Sequence, residues 1–192
     1  MRVPAPLLPL LVLLAALPAA AARADRQMDP ELRGVIAEAI KPSDCFEDRY
    51  EQAVWLAYME PRLGRYVKDP GERDQILHYV HCEARRVDIP PELVLAVMDV
   101  ESRFDRYAVS SAGAVGLMQV MPFWPTQLGM TNAQLVRIGD NVRMGATILS
   151  YYLRIERGNY PRALQRYNGS LGRPDYSDLV IDRLVSRWRY AH

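Results

Sequence analysis

Apolar positions recur along this chain at helical rather than strand spacing, and Pro, Gly and Asp divide them into short blocks. Asp29-Pro30 reads as the cap and first turn of a helix reaching about Ile40, and Lys41-Pro42-Ser43-Asp44 breaks it. A second helix is expected from about Cys45 to Met59, with Phe46, Tyr50, Val54 and Ala57 on one face and Pro61 and Gly64 ending it. Asp69-Pro70-Gly71 opens a third, carrying Ile76, Val80 and Val87, and Asp88-Ile89-Pro90-Pro91 opens a fourth. Farther on, Val142, Gly145, Ile148, Leu149, Tyr152 and Leu153 share one face between Asn141 and Glu156, with Gly158 as the stop. A short helix follows over 161–168, and Tyr176, Val180, Leu184 and Trp188 make the last stripe. No period-2 run, internal repeat or low-complexity tail interrupts this pattern, so the expected architecture is all-α and single-domain.

The first residues read as an address rather than as structure. Arg2 precedes an apolar run from Leu7 to Leu17, and Ala22-Arg23-Ala24 fits a signal-peptidase site. The run is short for a bilayer and broken by prolines, and no cysteine follows it to carry a lipid. Residues 1–24 are therefore expected to be a signal peptide, and the product periplasmic or secreted, without a membrane anchor. Removing them leaves 22 basic against 23 acidic side chains, and so near-neutral a domain is not expected to bind nucleic acid. About 170 residues suffice for one domain with a core. Residues 25–69 are assigned to an N-terminal helical extension and 70–192 to the main domain. In an oxidising compartment, Cys45 and Cys82 are expected to form a disulfide closing a loop of nearly forty residues, a constraint of roughly 3–4 kcal/mol. A pair of buried free thiols is the alternative.

The chemistry concentrates where the fourth helix ends. Leu93, Val94, Val97 and Met98 form its buried stripe, and Glu101 falls three and four residues after the last two. A carboxyl there points along the core-facing side. Partial burial disfavours its ionised form and raises its pKa, as a general acid at neutral pH requires. The loop that follows contains Gly113 and Gly116, suited to tight turns and close backbone approach, and then Leu117-Met118-Gln119-Val120-Met121-Pro122. An amide between two thioethers suits the face of a sugar bearing N-acetyl and hydroxyl groups.

The run from Glu101-Ser102 through Gly116-Leu-Met-Gln-Val-Met-Pro122 resembles the signature of the soluble lytic murein transglycosylases, a lysozyme-like family. Asn141-Val-Arg-Met-Gly145, Tyr152-Leu153 and Ala163-Leu-Gln-Arg-Tyr167-Asn168-Gly169 resemble further elements of that family, in its order, over roughly residues 87–170. The resemblance implies a lysozyme-like α fold and cleavage of peptidoglycan glycan strands with no cofactor and no metal. It implies Glu101 as acid and then base, and Ser110 as a hydrogen-bond partner of the muramoyl sugar. Met118, Gln119 and Met121 would line the subsites. Tyr167 would orient the Glu101 carboxyl or the substrate, and Asn168 would hold that segment or touch sugar. Ser102 and Gly116 are read as structural.

Glycosidases commonly set two carboxylates across the scissile bond. Here Asp99 lies on the opposite helical face from Glu101, and Asp105 is expected to cap the loop. The family mechanism, in which the sugar's own C6 hydroxyl replaces water, needs no second carboxylate. A muramidase on the same scaffold and a non-catalytic wall-binding or assembly-associated protein remain alternatives. The chain departs from the commonest family pattern after Asn168, where Tyr176 could border the cleft, and at Phe123-Trp124-Pro125. His78, His81 and Cys82 lack the further ligands of a metal site, and Arg85-Arg86 reads as a solvated face. A monomer is expected, and the absence of a wall-anchoring module leaves room for a recruiting partner in a cell-envelope assembly.

Overall fold

The computed structural model describes residues 29–39, 49–127 and 131–190. The expected signal peptide and Cys45 lie outside the described residues, whereas Cys82 is buried in the third helix. The described chain is helical: α1 Pro30–Ala39, α2 Arg49–Leu63, α3 Pro70–Arg86, α4 Pro91–Glu101 and α5 Phe123–Gln127, then a 3₁₀ turn, Asn132–Val136. After it come α6 Ile138–Ile155, α7 Tyr160–Asn168, α8 Asp175–Arg183 and a π turn, Leu184–Trp188. Among the described residues the only extended pairing is two isolated bridges, Val109 with Val115 and Val115 with Val120, in the loop after α4.

Helix α4 is the buried centre. Every residue from Leu93 to Met98 is fully buried, and α3, α8 and the π turn pack around them. Burying Leu93, Val94, Leu95, Val97 and Met98 stabilises on the order of 10 kcal/mol before chain entropy is counted. Helix α6 forms the second axis, touching α1, α3 and α7. A buried ion cluster joins α3 to α6: Glu83 accepts from Arg86 Nε at 2.5 Å and from Arg143 Nε at 2.7 Å, while Arg86 Nη2 donates to Thr147 Oγ1 at 2.6 Å. Arg86 is thus not the solvated side chain expected, because the fully buried Glu83 needs its charge.

Caps follow the sequence. Asp69 Oδ1 accepts from Glu72 N at 2.7 Å at the start of α3, and Gly169, at φ 73°, closes α7 in the left-handed region. Helix α1 docks through Leu32 and Ile36, a Tyr151–Asp29 hydrogen bond, and an Arg154–Glu31 pair at 2.7 Å. Helix α2 turns opposite to expectation. Tyr50, Val54 and Ala57 face solvent, and Trp55, Met59 and Leu63 enter the core, with Trp55 Nε1 donating to Glu92 Oε1 at 2.6 Å. Two apolar stripes compete on this helix, and the one with the larger apolar area is buried. Pro61 does not end α2, which runs on to Leu63. The carbonyl it cannot serve is that of Ala57, on the solvent face, where water can satisfy it.

Candidate active site

Glu101 is the last residue of α4 and is only partly exposed. Burial raises its pKa from the ordinary 4.5 to about 7, against the opposing pull of a hydrogen bond. That bond comes from Tyr176, whose hydroxyl donates to Glu101 Oε1 at 2.6 Å. Desolvation, with the charge of Glu101 adding to it, pushes the Tyr176 phenol well above its usual range, so the partner stays neutral and donating.

The position of Tyr176 follows from the turn between α7 and α8. Gln165, buried in α7, accepts from Gly172 N at 2.9 Å through Oε1 and donates to Ser177 Oγ at 3.3 Å. Ser177 in turn donates to Pro174 O at 2.8 Å. The turn is thereby fixed, and α8 presents Tyr176 to the end of α4.

The loop after α4 is held by polar side chains at carbonyls and amides that would otherwise be buried without partners. Ser102 Oγ donates to Leu117 O at 2.8 Å and accepts from Phe104 N at 3.1 Å. Asn141, almost completely buried in α6, accepts from Met118 N at 2.8 Å and donates to Val115 O at 2.9 Å and Leu135 O at 2.8 Å. Gly116, at φ 81°, makes room for it: a Cβ there would lie 2.4 Å from Asn141 Nδ2 and 2.5 Å from Leu135 O. Gln119 Nε2 donates to Ala108 O at 3.2 Å and to Gly116 O at 3.0 Å.

These contacts revise two expected roles. Met118 is fully buried, and Gly145 is the space it fills, since a Cβ at Gly145 would lie 2.4 Å from its sulfur. Its side chain is core rather than subsite lining. Tyr167 donates to Met118 O at 2.7 Å, not to Glu101, although the charge of Glu101 helps hold its phenol well above the usual pKa. The tyrosine on the carboxyl is Tyr176. Met121 is partly buried and Gln119 partly exposed. Ser110 and Asn168 are exposed, and Ser110 Oγ accepts from Ala114 N at 3.0 Å, which leaves its hydroxyl proton available.

Neither nearby acid faces Glu101. Asp99 Oδ2 is buried and accepts from Trp188 Nε1 at 3.0 Å, with Arg187 at 3.3 Å. Asp105 is exposed and accepts from Tyr107 N at 2.8 Å, the loop cap expected of it. Trp124 is packed beside Phe123, ring centroids 4.8 Å apart. Among the described residues no group of three or more His, Cys, Asp or Glu side chains is arranged to hold a metal ion. Nor is any helix among them long and apolar enough to cross a membrane.

A family model described as the transglycosylase SLT domain matches residues 78–176, from the middle of α3 to the tyrosine on Glu101. Membrane-bound lytic murein transglycosylase C of Actinobacillus pleuropneumoniae serotype 5b is 54% identical over 48 residues, 25% of this chain and 13% of that protein. Its namesake in Glaesserella parasuis is 42% identical over 62 residues, 32% of this chain and 16% of the other. The similarity thus spans less than a fifth of these relatives' length. A solved structure of an inactive mutant of the lytic transglycosylase Slt from Pseudomonas aeruginosa is 27% identical, with a TM-score of 0.46, and covers 56% of this chain and 20% of that one. With the match to the family model taking in more than half its length, the chain belongs to the transglycosylase SLT domain family.

Proposed function

We propose that this protein is a peptidoglycan lytic transglycosylase that cleaves the β-1,4 bond between N-acetylmuramic acid and N-acetylglucosamine without water, leaving 1,6-anhydromuramoyl ends. The observation that carries the reading is a lone, half-buried carboxyl with a pKa of about 7, held by a neutral tyrosine hydroxyl. Near neutral pH such a group exists in comparable amounts as acid and as base, and the two halves of the reaction need one form each. In the first half, Glu101 gives its proton to the glycosidic oxygen as the bond from that oxygen to muramoyl C1 breaks. The 2-acetamido group stabilises the positive charge left at C1. In the second half, the Glu101 carboxylate takes the proton of the C6 hydroxyl while O6 bonds to C1, and Glu101 ends protonated as it began. The ring closure is intramolecular and draws on the high effective concentration of a tethered nucleophile.

Tyr176 stabilises the carboxylate between the two halves and fixes its orientation. Tyr167 and Asn141 keep the Gly116–Met121 segment against the end of α4, so that Gln119, Met121 and Ser110 can meet the sugar. No cofactor takes part. The substrate places the protein in the cell envelope, reached through the signal peptide at residues 1–24, where Cys45 and Cys82 pair as a disulfide. Within this reading the enzyme is a monomer that a partner in an envelope assembly can recruit.

The test is mass spectrometry of fragments released from purified peptidoglycan by the wild-type protein and by Glu101→Gln. Fragments lighter than hydrolysis products by one water, and missing with the variant, are expected. Reducing-end fragments dependent on Glu101 would make the enzyme a muramidase instead. Release of nothing by the wild type would leave a binding protein.

A further inference from the structure

A cavity lies on the side of α4 away from Glu101. Asp99 and Glu101 are two residues apart, about 200° around the helix, so their side chains point in opposite directions. Beside the groups that hold Asp99, the end of α2 and the π turn border a solvent-open cavity of about 650 Å³, lined by Arg62, Arg65, Tyr66, Ser186, Arg187 and Trp188 together with Pro61. Its charge is lopsided. Asp99 is buried and already served by the Trp188 indole, Arg187 and the Tyr66 hydroxyl, at 3.0, 3.3 and 3.4 Å. Among the described residues, Arg62 and Arg65 have no carboxylate partner. Arg62 is nonetheless fixed, with Nη1 donating to Tyr58 O at 2.8 Å and its guanidinium 3.7 Å from the Tyr58 ring centre.

We propose that this cavity binds carboxylate groups on the peptide stems of peptidoglycan, a site separate from the one that cleaves the glycan. The proposal rests on the substrate proposed above. A planar guanidinium held in place before a ligand arrives, as that of Arg62 is, suits carboxylate, which it binds through paired N–H donors at little further entropic cost, and the exposed Arg65 adds a second positive charge beside it. The cavity has the volume of a small-ligand pocket and opens to solvent on one side, where a peptide can reach it. A π turn, which forms one wall, is an interruption of helical bonding found often at functional sites. A glycan strand in the Glu101 cleft carries peptides as side branches, and a site around the end of the same helix would hold the enzyme to peptide-bearing wall.

The experiment uses the full chain carrying Glu101→Gln, so that nothing is cleaved, and follows the three tryptophan indole N–H resonances by NMR. Trp55→Phe and Trp124→Phe identify the Trp188 signal by elimination. The probes are free peptide stems released by an amidase, peptide-free glycan, and inorganic phosphate. The peptide should move the Trp188 resonance saturably. Arg65→Glu, at an exposed position that leaves the Asp99 network intact, should weaken that binding about tenfold or more, and Arg65→Lys should recover most of it. A Trp188 signal unmoved by peptide, or moved equally in Arg65→Glu, overturns the proposal. So does a signal moved by glycan alone, or by phosphate as tightly as by peptide. Cleavage of whole peptidoglycan by the wild type is scored separately, so failure of the transglycosylase reading and failure of this site give different results.

Discussion

Glu101 should make the folded protein less stable as the pH rises, and Glu101→Gln should abolish that loss. A carboxyl that titrates near 4.5 when unfolded and near 7 when folded binds more protons in the native state between those two values. The slope of unfolding free energy with pH is therefore negative across the window. Below about 4.5 both states are protonated, and Glu101 costs nothing beyond its packing. Above about 7 the native state must hold a poorly solvated carboxylate, and the accumulated cost is about 3 kcal/mol. Gln keeps the shape and an oxygen for the Tyr176 hydroxyl, but never ionises. Urea unfolding of both proteins from pH 4 to 8.5 isolates the effect, because ionisable groups elsewhere are common to the two and cancel in the difference. The variant should gain on the wild type progressively from pH 4.5 to 7, ending about 3 kcal/mol ahead of where it stood at pH 4, while losing activity altogether. Stability curves that run parallel over that range would show that burial does not raise the Glu101 pKa, and the dual acid and base role would lose its physical basis.

Four further outcomes follow from the same geometry. Tyr176→Phe removes the bond that opposes the rise in the Glu101 pKa, so the alkaline limb of the pH–rate profile should move to higher pH while the rate falls, roughly tenfold or more; an unmoved limb contradicts the contact. Tyr167→Phe leaves the Met118 carbonyl without its donor and should cost about 1–3 kcal/mol in denaturant unfolding, with lower activity but no shift of that limb. Gly113→Ala and Gly116→Ala form a paired test by thermal melting. Both demand a positive φ, worth about 1 kcal/mol, but only Gly116 also has Asn141 and Leu135 in the way, so its variant should melt several degrees lower. Glu83→Gln strips the shared charge from Arg86 and Arg143 and should destabilise by about 3–5 kcal/mol at neutral pH, measured in urea.

Which parts of this molecule were legible in its sequence depends on whether local pattern or tertiary competition decides them. The α4 stripe and the placement of Glu101 at its end are fixed by a period of 3.6 and by two prolines, and both are local. The same holds for the Asp69 cap and for the stop at Gly169. Helix α2 was not legible, because Tyr50-Val54-Ala57 and Trp55-Met59-Leu63 are both acceptable stripes, and only the space beside α3 and α4 chooses between them. The tyrosine on Glu101 failed for a related reason. Tyr167 stands beside a conspicuous Asn-Gly, whereas Tyr176 lies beyond that segment and reaches the carboxyl through a turn set by Gln165, an interior position of the segment to which the resemblance assigns no role. One sequence signal did point there: Tyr176 heads the stripe continued by the buried Val180 and Trp188, which obliges its ring to face inward. A tyrosine leading a core stripe brings its hydroxyl into the interior, where that hydroxyl needs an acceptor. The half-buried Glu101 carboxyl needs a donor, and the fold satisfies both with one bond. The proposed acid and base role and structural completeness thus rest on the same pair of residues, which is why Tyr176→Phe is expected to move the pH profile and not merely the rate.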